Sequence, residues 1–464
     1  MKYHKGWNYS VYRPPFIEVG EIYINRLVPY ENSAFFEWSS VQGKKEIFYR
    51  VLGETEWIKA GKTEENSFEI KDLLVETDYE FFVSLGEKKS RVRLFRTGKS
   101  VGTVVNYLHP KDEAYAFSGR YLASPSIIRT PQGHLLASMD LYAQGAPQNL
   151  TLIYRSDDDG KTWKHLCELF PCFWGKLFVH HGEIYMISES TEYGDLLIGK
   201  SLDGGSTWSD PVILLRGSNG KKGFAGPHKA PMPILEFNGR LWTAMEWGAW
   251  GSGYHAPMVA SVPADSDLLN PENWSFANPI KYDENWQGVP KGPSTGSIEG
   301  SIVEKDGELY NIMRYDMTKL ERRYGLALRF KLDKDDPEAQ LTYDGVIEFS
   351  ANASKFSIIW DKKTKRYYTI ANLLGENMEV NHGTGFGRNH LCLMYSENLE
   401  EWKVASSILD YRHADPNYTG FQYVDFFFEG DDILFLCRTA INGANNFHDS
   451  NYCTFHRIKN FRNL

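Results

Sequence analysis

One strand-turn-strand phrase recurs six times between residue 121 and the C-terminus. It runs Ser126-Ile127-Ile128-Arg129 to Gly133-His134-Leu135-Leu136, then Leu177-Phe178-Val179 to Gly182-Glu183-Ile184-Tyr185. It returns as Pro233-Ile234-Leu235 to Gly239-Arg240-Leu241-Trp242, and as Ser301-Ile302-Val303 to Gly307-Glu308-Leu309-Tyr310. The fifth copy is Ser357-Ile358-Ile359 to Lys365-Arg366-Tyr367-Tyr368, and the sixth Asp425-Phe426-Phe427 to Asp431-Asp432-Ile433-Leu434. The spacing, roughly 50 to 70 residues, suits one four-stranded propeller blade. One blade cannot bury both faces, but six arranged radially can. The expectation is an all-β chain whose main body, residues 105–464, is a six-bladed β-propeller with a central funnel.

At 464 residues the chain exceeds one ordinary domain, so a second is expected. The net charge of −9 argues against nucleic acid and anionic membrane as partners. No run approaches the roughly 18 apolar residues that span a bilayer. Met1-Lys2-Tyr3-His4-Lys5-Gly6-Trp7 lacks the apolar core of a signal peptide, which predicts a cytoplasmic protein. The five cysteines lack metal-ligand spacing and read as buried free thiols. No cofactor or metal is expected. Aromatic residues, 14% of the chain, suit packed strands and also surfaces on which sugars stack.

Residues 16–98 read as a separate small β-sandwich. Strands are expected at Ile22-Tyr23-Ile24, Ala34 to Trp38, Ile47 to Val51, Ser67 to Ile70, Tyr79 to Val83 and Arg91 to Phe95, with short polar turns between them. Trp38 and Tyr79 resemble the core Trp and tyrosine corner of fibronectin type III domains. The resemblance implies packing rather than chemistry.

Ser156-Asp157-Asp158-Asp159-Gly160-Lys161-Thr162-Trp163 and Ser201-Leu202-Asp203-Gly204-Gly205-Ser206-Thr207-Trp208 share the pattern S-x-D-x-G-x-T-W. The stretch Ser396-Glu397-Asn398 to Trp402 is a degenerate third copy. The Asp can accept backbone N–H groups across a tight turn, Gly supplies the unusual φ, and Trp fills the gap between strands. This pattern resembles the Asp box of sialidase-like propellers, where it holds the outer rim.

Superposing the six repeats aims equivalent positions at one funnel. The innermost strands contribute Ala123-Ser124, Trp174-Gly175-Lys176, His228-Lys229, Glu299, Ser354-Lys355 and Gln422-Tyr423. The ends of the second strands contribute Asp140, Glu189, Glu246, Arg314, Asn372 and Arg438. So many convergent ionisable groups favour a site for a polar ligand.

Three segments are similar to the sialidase site. Ser297-Ile298-Glu299-Gly300, followed by Asn311-Ile312-Met313-Arg314, resembles the segment carrying a glutamate and one arginine of the carboxylate-binding triad. Phe421-Gln422-Tyr423-Val424-Asp425 resembles the segment of the nucleophilic tyrosine, and Arg388-Asn389-His390 the place of another triad arginine. The resemblance implies that Glu299 draws the proton from Tyr423 while Arg314 and Arg388 hold a carboxylate. Two positions depart from the family. Ala123 stands where an arginine is expected. The loop Gly145-Ala146-Pro147-Gln148-Asn149-Leu150 has no counterpart of the acid/base aspartate. Both departures point away from sialic acid hydrolysis itself.

Asp140 and His228 are the candidate acids. Arg438, Lys229, Glu246 and Trp174 are expected to line the substrate site, with His448 in Phe447-His448-Asp449 reaching over the mouth. The Gly-rich loop of Trp247, Trp250 and Tyr254 offers either a sugar platform or ordinary packing. The expected activity is exo-acting hydrolysis releasing a terminal, possibly acidic, sugar from an oligosaccharide or polysaccharide. A polysaccharide lyase acting next to uronic acids and a glycan-binding propeller without catalysis are the alternatives.

Overall fold

The computed structural model describes residues 3–5, 7–8, 22–218, 223–351, 354–374 and 387–464. These residues form an all-β structure in which helix is confined to single turns such as Pro271–Asn273. No described helix is long and apolar enough to cross a membrane.

From residue 121 onward the described strands build six antiparallel sheets. They cover residues 121–170, 173–215, 226–276, 297–348, 359–410 and 420–458, numbered sheets 1 to 6 here. Sheet 4 shows the pattern: Ser297–Lys305, Glu308–Tyr315, Leu326–Leu332 and Thr342–Glu348 pair in chain order. The first hairpin turns on Asp306-Gly307 (φ 53° and 79°), the two-residue geometry whose twist matches paired strands. Sheet 6 takes its outer strand from elsewhere. Thr103–Tyr107, which precedes sheet 1, pairs with Tyr452–Ile458.

The sequence pattern explains the packing. In Leu135–Tyr142 nearly every side chain is buried, because successive residues face opposite sides of a sheet and both sides are covered. Leu135, Ala137, Met139 and Leu141 pack against Leu434 and Leu436 of sheet 6, whereas Leu136 packs against Leu177 and Met186 of sheet 2. Further cores join sheets 2 and 3, 3 and 4, 4 and 5, and 5 and 6. The sheets therefore close into a ring, an arrangement consistent with a β-propeller.

Both S-x-D-x-G-x-T-W loops close in the same way. The Asp158 carboxylate accepts the Thr162 N–H at 2.8 Å and its hydroxyl at 2.7 Å, and Asp203 does the same for Thr207 at the same distances. Trp163 and Trp208 are buried. The third copy uses Asn398, which accepts the Glu400 and Glu401 N–H groups at 2.9 Å.

N-terminal to the ring lie two smaller sheets. One holds Ile24–Pro29, Ala34–Trp38 and Ser67–Ile70; the other holds Lys45–Val51, Ile58–Thr63, Asp78–Leu85, Lys88–Lys89 and Arg93–Arg96. Trp38 and Tyr79 are buried between them, and the Tyr79 hydroxyl accepts the Leu74 N–H at 2.9 Å. The expected strand at 22–24 starts two residues later, with Ile22 forming only a bridge to Ser90. Ile58–Thr63 and Lys88–Lys89 are strands that apolar alternation does not mark, because few of their side chains are buried. Residues 16–21 of the expected domain lie outside the described residues.

Candidate functional site

Three innermost strands, in sheets 2, 4 and 6, carry the same irregularity. Each has one extra residue, between Phe173 and Lys176, Ile298 and Ser301, and Gln422 and Asp425. The residues at these bulges are Trp174 (φ 50°), Glu299 (φ 58°) and Tyr423 (φ 55°), all in the left-handed region. That region is unfavourable for bulky side chains, and bulges of this kind re-aim a side chain out of the ladder. Here they bring Glu299 and Tyr423, more than a hundred residues apart, to one guanidinium. Arg314 Nη1 donates to Glu299 Oε2 at 2.8 Å and to the Tyr423 hydroxyl at 3.4 Å. Tyr423 is also hydrogen-bonded to the Glu299 carboxylate.

The electrostatics separate the pair. Burial alone would raise the Glu299 carboxyl, but Arg314 and the Tyr423 hydroxyl outweigh it and hold its pKa below the usual range. Glu299 is therefore a carboxylate. Burial and the neighbouring Glu299 charge raise the Tyr423 phenol, against the pull of Arg314, Arg388 and Arg438. A neutral phenol beside a carboxylate base is the arrangement that activates a weak nucleophile.

Arg388 and Arg438 complete the cationic wall. Arg438 stands over the Tyr423 ring at 5.0 Å and the Tyr142 ring at 5.5 Å. Its Nε and Nη2 donate to the His448 carbonyl at 3.1 and 2.5 Å. Arg388 lies over the Phe447 ring and donates to Gln422 Oε1. Burial, then the like charge of Arg314, push the Arg388 cation down to about 9, with Arg438 adding to the effect. His448 meets the wall through Arg438, and its Nδ1 lies 2.9 Å from Asp449 Oδ1. Burial, then Arg438, lower it to about 4, so it is neutral at pH 7.

His228 and Glu246 face each other across sheet 3, with Nδ1 2.6 Å from Oε2. Burial raises the Glu246 carboxyl, and His228 opposes the shift. The His228 ring packs against Trp174 at 4.4 Å, His255 at 5.1 Å and Tyr193 at 5.6 Å. The Tyr193 hydroxyl lies 3.1 Å from His255 Nε2. Tyr142, Tyr193 and His255 belong to this wall but escaped the sequence reading. Their repeat positions carry no shared residue type that would mark them. Trp250, 53% exposed, stands 4.6 Å from the His255 ring, and its N–H donates to the Tyr193 hydroxyl at 3.2 Å.

Two expected site residues have local partners. Asp140 is fully buried and accepts the Thr151 hydroxyl at 2.6 Å and the Trp174 N–H at 3.0 Å. It thereby clamps the bulge of sheet 2. Burial raises it to about 7 against these hydrogen bonds. Lys229 is likewise buried, donates to the Ala230 carbonyl at 2.8 Å, and is lowered by burial to about 7. It belongs to an axial group with Lys355 and Lys176, the last paired with Asp425 at 2.6 Å. No group of three or more described His, Cys, Asp or Glu side chains is placed to hold a metal ion. Cavities of about 620 and 690 Å³ lie near Lys161, and none of Glu299, Arg314, Arg388, Tyr423 and Arg438 lines them.

No protein-family model matches this chain, and no curated protein does. Solved structures do. A Penicillium chrysogenum α-L-arabinanase complexed with arabinobiose superposes with a TM-score of 0.50 at 15% identity, over 79% of this chain and 99% of its own. A mutant α-L-arabinofuranosidase from Fusarium graminearum with an iminosugar inhibitor gives 0.52 at 13% identity, over 77% and 97%. A leech intramolecular trans-sialidase complexed with 2,7-anhydro-Neu5Ac gives 0.50 at 11% identity, over 95% and 91%. What this chain shares with them at these identities is the fold.

Proposed function

We propose that this chain is a carbohydrate-active enzyme, an exo-acting glycoside hydrolase releasing a terminal acidic sugar. In this reading the six sheets are the six blades of a sialidase-like propeller, residues 105–464. The two N-terminal sheets are a fibronectin type III-like sandwich, for which the Tyr79–Leu74 hydrogen bond is the supporting feature. One observation carries the functional assignment. Three buried guanidinium groups, Arg314, Arg388 and Arg438, surround a single phenol–carboxylate pair. Guanidinium groups gathered at one place suit a ligand carboxylate, which fork-shaped donors bind with fixed geometry.

Glu299 takes the Tyr423 proton as the phenol oxygen attacks the anomeric carbon, and Arg314 stabilises the charge that develops between them. A tyrosine nucleophile avoids repulsion from an anionic sugar. Trp174 and the His228–Glu246 pair line the opposite wall. Asp140 and Lys229 hold the bulge and the axis.

The test is a panel of sialylated, uronate-terminated and arabinofuranosyl oligosaccharides, with product mass and ultraviolet absorbance recorded. Release of a terminal monosaccharide that is lost in Tyr423→Phe and Glu299→Gln supports the assignment; full activity in either variant overturns it. Binding without turnover identifies a glycan-binding propeller instead. A lyase is the second reading, favoured by His228, whose Nδ1 lies 2.6 Å from the orienting Glu246 carboxylate. An unsaturated, ultraviolet-absorbing product would establish it.

A further inference from the structure

We propose that Glu192 is the proton donor to the leaving group, a role that rests on the hydrolase reading above. The loop from Gly145 to Leu150 lacks an acid, but it is not idle. Gln148, buried and in the left-handed region (φ 52°), donates from Nε2 to Glu192 Oε2 at 2.9 Å. The Thr191 hydroxyl donates to the Pro147 carbonyl at 2.5 Å, tying the two loops together. Glu192 belongs to sheet 2, on the loop between Glu183–Glu189 and Leu196–Ser201. The loop of sheet 1 thus holds a carboxyl supplied by the next sheet.

Its surroundings place Glu192 near the residues grouped around Glu299 and Tyr423. His228 interacts electrostatically with both Glu192 and Glu299, and Tyr142 with both Glu192 and Tyr423. Glu192 therefore stands between His228 and Tyr142. The titratable groups facing it are Tyr142, Glu189, Tyr193 and His228. The hydrogen bond it accepts comes from a neutral amide rather than from a lysine or arginine. Half-burial raises its carboxyl from the ordinary glutamate value, against His228 and the Gln148 hydrogen bond, the direction a proton donor needs.

The step balances. As the glycosidic bond to the leaving oxygen breaks, that oxygen takes the Glu192 proton, the Tyr423 oxygen bonds to the anomeric carbon, and Glu299 holds the Tyr423 proton. In the second half Glu192, now a carboxylate, removes a proton from water. The water oxygen bonds to the anomeric carbon, and Tyr423 leaves and regains its proton from Glu299.

Glu192→Gln keeps the shape and the Gln148 contact while removing the acid. The probes are 4-nitrophenyl glycosides of α-L-arabinofuranose, glucuronic acid and sialic acid, each beside an oligosaccharide ending in the same sugar. On the oligosaccharide the variant should lose about 10²–10⁴-fold in kcat. On the nitrophenyl glycoside, whose leaving group needs no proton, it should lose little. Equal loss on both overturns the proposal. If the wild type turns over none of the probes, the hydrolase reading falls, and ¹³C NMR of labelled glutamate carboxyls still decides on Glu192. A resonance missing in Glu192→Gln that titrates above the ordinary glutamate range supports a proton held at that atom; one that titrates in the ordinary range overturns it.

Discussion

Arg388 is buried beside Arg314, and together with burial that like charge holds its cation down to about 9. An incoming carboxylate relieves the repulsion, so ligand binding and stability of the free protein oppose each other at this residue. Arg388→Met should weaken binding of free sialic or glucuronic acid by about 1.5–3 kcal/mol, the worth of a charged hydrogen bond. Calorimetric titration of both sugars into wild type and variant measures the loss. Lys229 allows a pH test. Burial lowers its amine to about 7, while the unfolded chain keeps an ordinary lysine value. Between those values the unfolded state binds more protons, so stability attributable to Lys229 rises with pH. Wild type should gain stability relative to Lys229→Met between about pH 7 and pH 10. Lys355, lowered to about 8, repels Lys229 and is relieved when that charge is removed, so the difference reports the two coupled amines together. A flat difference across that range would show that Lys229 stays charged.

The bulge of the innermost strands is the element on which the site depends. Gly300 follows Glu299, and a Cβ there would lie 2.1 Å from Asn311 Oδ1. Gly300→Ala should therefore displace Glu299 and abolish turnover while leaving cooperative unfolding intact, which activity assay and thermal scan distinguish. The rim loops give a second contrast. A Cβ on Gly160 (φ 85°) would meet the Phe455 ring at 2.1 Å, whereas one on Gly133 (φ 89°) meets nothing within 4 Å. Gly133→Ala should cost only about 1–2 kcal/mol of conformational strain. Gly160→Ala adds displacement of a buried ring and should lower Tm clearly further. These elements differ in how far sequence revealed them. The strand-turn-strand core was legible because strands such as Leu135–Tyr142 and Phe173–His180 are buried on both faces, which writes continuous apolar runs. Glu299, Arg314, Tyr423 and Arg438 were legible because sheets 4 and 6 place them by the same register, Ile298 opposite Arg314 and Gln422 opposite Arg438. The bulges were not, since one extra residue leaves no compositional mark. Nor were Tyr193, His255 and Glu192, whose positions depend on how loops from different sheets meet. Asp140 was read as a candidate acid, and its hydrogen bonds to Thr151 and Trp174 could not be read from spacing.

At the scale of the whole chain, the N-terminal sheets and the ring share one structural seam. Val104 and Tyr107 of the ring-closing strand and Tyr452 of sheet 6 pack into the same core as Trp38, Phe81 and Phe95. The seam is pinned by Arg93, whose Nε donates to Asp112 Oδ2 at 2.6 Å and whose Nη1 donates to the Ile24 carbonyl at 2.9 Å. Both side chains of the ion pair are nearly inaccessible, at 5% and 2% exposure. Burial alone would weaken the Arg93 cation, yet Asp112 outweighs it and holds its pKa above the ordinary value. That the strands up to residue 96 form sheets of their own was legible from their short alternating pattern. The seam was not, because it joins residues that no local pattern connects. Removing one partner of such a pair strands the other charge in a low-dielectric interior, at about 3–5 kcal/mol. Arg93→Met should therefore lower the denaturant midpoint substantially, and Arg93→Met with Asp112→Asn should recover part of the loss. Because the apolar seam remains, both variants should still unfold in one transition followed by N-terminal tryptophan and ring signals alike. Two separated transitions in the wild type would show instead that the N-terminal sheets fold independently of ring closure.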